Sequence, residues 1–156
     1  MKQPTPFFLS YTRADQTDID RFLEVLNPLL QLSSKYDFHL WQDTAILPGE
    51  KWREEIDTAL KTSRFGILCV TPNFLANGFI SNDELPALLA KPMVVPVGIQ
   101  RISFSGDMDL KGLEDRQLFH DKKGRTFDAC GRGPSRRDFA RELCEKIGAL
   151  LEKYPC

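Results

Sequence analysis

A chain of 156 residues, 42% apolar and 28% charged, is long enough to bury a core without disulfide or metal staples. Its formal net charge of −1 excludes a strong long-range pull toward nucleic acid or anionic membrane, and no apolar run reaches the length of a bilayer span. The polar start Met1-Lys2-Gln3-Pro4-Thr5-Pro6 has no signal-peptide core, and Cys69, Cys130, Cys144 and Cys156 form no CxxC pair, which fits a reduced, cytoplasmic protein.

Phe7-Phe8-Leu9-Ser10-Tyr11 reads as a short buried strand. Asp15 or Thr17 caps the next segment, where Ile19, Phe22, Leu23, Leu26 and Leu30 recur at helical spacing. Phe38-His39-Leu40-Trp41 reads as a second short strand that Asp43 ends, and Pro48-Gly49 punctuates the loop beyond it. A second helix sets Trp52, Ile56 and Leu60 on one stripe, with Glu50, Glu54 and Glu55 favouring its positive N-terminal end. The unbroken apolar run Phe65-Gly66-Ile67-Leu68-Cys69-Val70 marks a central parallel strand covered on both faces. Thr71-Pro72 starts a helix that breaks at Asn77-Gly78 and resumes near Ser81. Residues 93–98 form a fourth strand, whose Pro96 points to an edge or an end.

The signal weakens over residues 100–134, where Gln117-Leu118-Phe119-His120 offers a fifth, short strand. Ser135 then caps a last helix with the stripe Phe139, Leu143, Ile147 and Leu150 or Leu151. Strands and helices alternate throughout, which predicts a doubly wound parallel sheet with helices on both faces, in a single domain over residues 1–156.

The stretch Phe79-Ile80-Ser81-Asn82-Asp83-Glu84-Leu85 holds the residue on which function turns. Ser81 followed three residues later by Glu84 is a capping box, in which the glutamate folds back onto the serine N–H. The same carboxylate also falls at the C-terminal edge of a parallel sheet, where open α/β folds bind small molecules. Both roles stay open on these residues alone.

Four blocks in order resemble the Toll/interleukin-1 receptor (TIR) domain, in wording closest to its bacterial members. They are Phe8-Leu9-Ser10-Tyr11-Thr12-Arg13-Ala14-Asp15, Leu40-Trp41-Gln42-Asp43 with Leu47-Pro48-Gly49-Glu50-Lys51-Trp52, Ser63-Arg64-Phe65 through Thr71-Pro72-Asn73-Phe74-Leu75, and Glu84-Leu85. The resemblance covers nearly the whole chain and is weakest over residues 101–132. It implies a flavodoxin-like, three-layer α/β/α fold with a five-stranded parallel sheet. It also implies one of two functions. Enzymatic members cleave NAD+ to nicotinamide and ADP-ribose or a cyclised isomer, in bacteria often for anti-phage defence, whereas other members are scaffolds that assemble through TIR–TIR contacts. The domain would then be the N-terminal part of a longer sensor or effector, assembling with other TIR domains.

On the enzymatic reading NAD+ is substrate, and neither a cofactor nor a metal is expected. Nicotinamide leaves a cationic pyridinium as a neutral molecule, so no acid need protonate it. What needs stabilising is the electron-poor ribose, and one ionised carboxylate, Glu84, is chemically adequate. Tyr11 would lie against a flat ring, Arg13 would meet the pyrophosphate, and Asp43 would line the pocket or serve as a turn residue. Many catalytic relatives carry a tryptophan four residues before the glutamate; here Ile80 stands there beside Phe79, and Pro86 follows two residues after Glu84. Ile46-Leu47-Pro48-Gly49 forms an apolar bend expected to govern assembly. Trp41 and Trp52 read as packing residues.

Other chemistries find no pattern. There is no Walker A sequence, Gly131-Arg132-Gly133 comes too late for a dinucleotide fingerprint, and His39 and His120 lack partners at metal-ligand spacing. The basic stretch Lys122, Lys123, Arg125, Arg132, Arg136 and Arg137 reads as a solvated face, since no aromatics alternate with its charges.

Overall fold

Phe7 through Thr12 are all buried, a pattern that only a strand covered on both faces can satisfy. The computed structural model describes residues 1–46, 52–77 and 84–155, with backbone only at 41–46, 52, 53 and 84. Four parallel strands, β1 (Gln3–Thr12), β2 (Tyr36–Ile46), β3 (Phe65–Val70) and β4 (Val94–Gly98), form one sheet in the order β2-β1-β3-β4. Side-chain alternation divides the core in two. Phe7, Leu9, Tyr11, Phe65, Ile67, Cys69, Val95 and Val97 meet α1 (Gln16–Gln31) and α5 (Pro134–Lys153). On the other face Phe8, Leu68, Val70 and Val94 meet α2 (Trp52–Thr62), α3 (Pro72–Leu75) and α4 (Glu84–Leu89). This is the doubly wound α/β arrangement that the alternation of elements predicts.

Gly66 is fixed by the second core. A Cβ there would stand 2.0 Å from the Phe8 ring, so β1 lays an aromatic where β3 has no side chain. Pro96 stands opposite Leu68 in the register with β3, but its carbonyl faces the outer side of β4, where Pro96 O accepts from Phe119 N at 2.8 Å. A proline there forfeits no ladder bond.

Several expectations are corrected. The fifth strand over Gln117-Leu118-Phe119-His120 shrinks to one parallel bridge, Val97 to Phe119, with Gly98 N donating to Phe119 O at 3.0 Å. A 3-10 turn at Asp115–Gln117 precedes it and a tight turn at Asp121 follows, leaving little extended chain to pair. Instead, aromatic contacts anchor this region: Phe119 and Phe127 both meet Phe139 of α5 edge-on, and Phe127 also meets Phe22 of α1. β2 does not end at Asp43 but runs to Ile46, with a register shift that leaves Trp41 without a partner residue on β1. The last helix is preceded by Gly133, at φ 94, rather than capped by Ser135, and its buried stripe takes Leu151.

Asp121 organises the turn after the bridge. Its Oδ1 accepts from the backbone N–H groups of Lys123 (3.0 Å) and Arg125 (2.8 Å), and its Oδ2 from Arg125 Nε at 2.7 Å. Burial pushes this carboxyl up, but the Arg125 N–H, the Arg125 guanidinium and the Lys123 N–H outweigh it, so the group lies below its ordinary value. A carboxyl lowered in the folded state adds stability above the unfolded carboxylate value of about 4, and that stability is lost as pH falls through the folded value. Asp121→Asn should therefore cost about 2 kcal/mol at neutral pH. Urea unfolding of both proteins should show that gap closing below about pH 4; a pH-independent gap would contradict this assignment.

Candidate functional site

The C-terminal ends of β1, β3 and β4 open on one edge of the sheet, where α/β folds take ligands. A buried carboxylate ties them together there. Asp15, only 4% exposed, follows β1 and precedes α1. Thr71 Oγ1, from the end of β3, donates a short hydrogen bond to its Oδ2. Asn73 Nδ2 of α3 donates to Oδ1 at 3.0 Å, and Gln100 Nε2, just past β4, lies 3.4 Å from the same oxygen and 2.7 Å from Asp18 Oδ2. Among the described residues the side-chain donors on Asp15 are neutral. Thr71 spends both hydroxyl functions, since its Oγ1 also accepts from Phe74 N at 2.9 Å and so caps α3.

The residues singled out from sequence fall unevenly around this edge. Glu84 is the first residue of α4, in the connection that leads from β3 to β4. Ser81, Phe79 and Ile80 lie outside the described residues, so the capping box is not seen. Tyr11 is 2% exposed within the core facing α1 and α5, and its hydroxyl donates to Gln16 Oε1 at 3.1 Å. That burial leaves the ring no open face, so the expectation of Tyr11 as a platform for a flat ring is corrected to a core residue. Arg13 is exposed at the start of the 3-10 turn Arg13–Asp15, at the same edge. Asp43 stands opposite Leu9 inside β2, and Ile46 opposite Thr12 at the end of that strand rather than on a loop. Leu47, Pro48 and Gly49 lie outside the described residues.

Pro86 proves compatible with its helix. It is the third residue of α4, where a backbone N–H has no partner within the helix. Its ring fills the place beside Gly112, whose φ is 85; a Cβ on Gly112 would stand 2.6 Å from Pro86 Cγ. The proline thus clamps the loop after β4 onto α4.

Sequence reasoning missed the Asp15 network and read the residue as a helix cap. Asp15 does occupy that position, but its side chain makes no cap bond because Thr71, Asn73 and Gln100 claim it. Burial pushes the Cys130 and Cys144 thiols up to about 11, so neither is a nucleophile at neutral pH. Among the described residues no helix is long and apolar enough to cross a membrane.

Comparison with known proteins gives one family. The model of the TIR domain matches residues 7–130, a span that contains all four strands' paired cores, Asp15 and Glu84. No curated protein matches the chain.

Asp15→Ala should destabilise the fold by about 3 kcal/mol, because buried Thr71 and half-buried Gln100, together with the more exposed Asn73, lose their shared acceptor. Chemical denaturation measures this, and a loss under about 0.5 kcal/mol, as for an ordinary surface site, would show that the network is incidental.

Proposed function

The chain belongs to the TIR-domain family, and on that premise we propose that it is an NAD+ glycohydrolase acting in bacterial immune signalling, cytoplasmic and activated by self-assembly. The observation that carries this reading is the position of Glu84. It opens α4 in the connection after β3, on a sheet whose C-terminal edge is held in register by Asp15. Its carboxylate approaches the nicotinamide ribose of NAD+. The bond between ribose C1′ and the pyridinium nitrogen breaks, its electron pair neutralises that nitrogen, and nicotinamide departs. Negative charge on Glu84 stabilises the electron-poor ribose that remains. Water then adds at C1′ and loses a proton, giving ADP-ribose; capture by the adenine instead gives a cyclic isomer.

Arg13, exposed beside the same edge, is the cation for the pyrophosphate. Phe79 and Ile80 take the base in place of the tryptophan that many catalytic relatives carry. Asp43 stands near the end of the neighbouring strand as a further polar residue of the pocket. Assembly with other TIR domains runs through Ile46-Leu47-Pro48-Gly49, whose first residue closes β2. The alternative is a scaffold that pairs with other TIR domains and turns nothing over, with Glu84 serving its helix alone.

Glu84→Gln separates the two. On the enzymatic reading, NAD+ cleavage falls at least about 100-fold, the scale of removing a group that stabilises charge in the transition state. The folded fraction stays near wild type, because a lost cap partner costs only about 1 kcal/mol. Nicotinamide release measured beside circular dichroism decides it. Activity that declines only in proportion to folded protein would make the glutamate structural.

A further inference from the structure

The loop after β4 and the turn after Phe119 enclose a cavity of about 360 Å³ among whose lining residues are Arg101, Phe104, Asp115, His120, Lys123 and Arg125. We propose that this cavity binds a small phosphate monoester bearing an aromatic base, a ligand of nucleoside-monophosphate size, at a site separate from that of Glu84. The volume lies within the range of about 300–1,000 Å³ typical of small-molecule pockets.

The cations of its wall are suited to a phosphate. Asp121, with its side chain 2% exposed, fixes the Arg125 guanidinium through Nε at 2.7 Å. Among the described residues the two terminal nitrogens of Arg125 have no partner, so a planar fork is held ready before any ligand arrives. Arg101 and Lys123 form no ion pair or side-chain hydrogen bond among the described residues. Asp121 offsets one positive charge from behind the wall. Asp115 is the one carboxylate in the lining, 69% exposed and 3.9 Å from His120 Nε2, so solvent screens its repulsion. Arg101, Lys123 and Arg125 together outnumber Asp115 and the Asp121 behind the wall, which leaves the wall positive.

Phe104 accounts for the base. Among the described residues it is one of few large apolar side chains left exposed, at 38%, and it lines the cavity from the loop after β4 that also carries Arg101. A flat base stacked on it is shielded from water, and stacking of this kind tolerates any base because each has a π-face. The basic stretch around residue 123 reads from sequence as a solvated face because no aromatics are interleaved with it. The fold supplies the aromatic from 19 residues upstream and Arg101 from 22 upstream, by carrying β4 alongside Phe119. The charges converge on a cavity instead of running along a groove, which favours a small molecule over a nucleic-acid strand.

Titration calorimetry on the full chain tests this with AMP, ribose 5-phosphate and inorganic phosphate as probes. Against wild type stand Arg101→Gln/Lys123→Gln, Phe104→Ala and Glu84→Gln; Arg125 is left intact because its loss would orphan buried Asp121. AMP should bind one to one, and the double variant should weaken it at least about tenfold, the scale of a lost charge-assisted hydrogen bond. Phe104→Ala should weaken AMP while leaving ribose 5-phosphate unchanged, and Glu84→Gln should leave AMP binding intact. The proposal is overturned if AMP gives no heat at millimolar concentration, if inorganic phosphate binds as tightly as AMP, or if the double variant binds like wild type. Loss of AMP binding in Glu84→Gln would overturn it too, by assigning the nucleotide to the NAD+ site.

Discussion

A polar side chain taken out of water costs free energy unless its oxygens find hydrogen-bond partners. Asp15 meets that demand only when the end of β1, the turn that starts α3 and the residue after β4 stand together, because Thr71, Asn73 and Gln100 come from those places. The constraint is directional. It sets where the chain leaves β3, and thereby the start of the connection that ends in Glu84. Hydrophobic layers on the two faces of the sheet hold the strands, but they do not fix the edge where chemistry would occur. The Asp15 network does.

Away from that edge the same logic recurs on a smaller scale. Asp121 gathers two backbone N–H groups and one guanidinium, and so shapes a turn where no strand continues. Pro86 over Gly112 fastens the loop after β4 to α4, while Phe119, Phe127 and Phe139 fasten the following segment to α5. The part of the chain with the faintest periodicity is thus held by specific side-chain contacts.

Burial on both faces wrote the central strand plainly: Phe65–Val70 is read from sequence with the bounds the structure has. The stripe Phe139, Leu143, Ile147 of α5 is equally legible, since helical spacing and burial coincide. The bridge at Phe119 reads from sequence as a strand because an apolar pair between polar residues looks the same whether one residue pairs or four do. β2 reads as shorter than it is because Asp43 and Thr44 weaken its apolar signal while β1 still pairs with it in register. The Asp15 network left no local trace: its partners lie 56, 58 and 85 residues away. Tyr11 shows the converse, a residue that fits a pocket by position in the chain yet is spent on the core by the direction of its side chain. Glu84 is legible as a helix start, but a single sequence holds nothing that distinguishes a cap from a carboxylate that stabilises positive charge on a substrate.

The central claim is that this TIR domain turns over NAD+ and does so when assembled. The direct measurement is nicotinamide release from NAD+ by the wild-type protein, followed by chromatography across a wide range of protein concentration. The account requires release, with activity per molecule rising as concentration increases. No release at any concentration would contradict the enzymatic reading, and a rate per molecule independent of concentration would contradict activation by assembly.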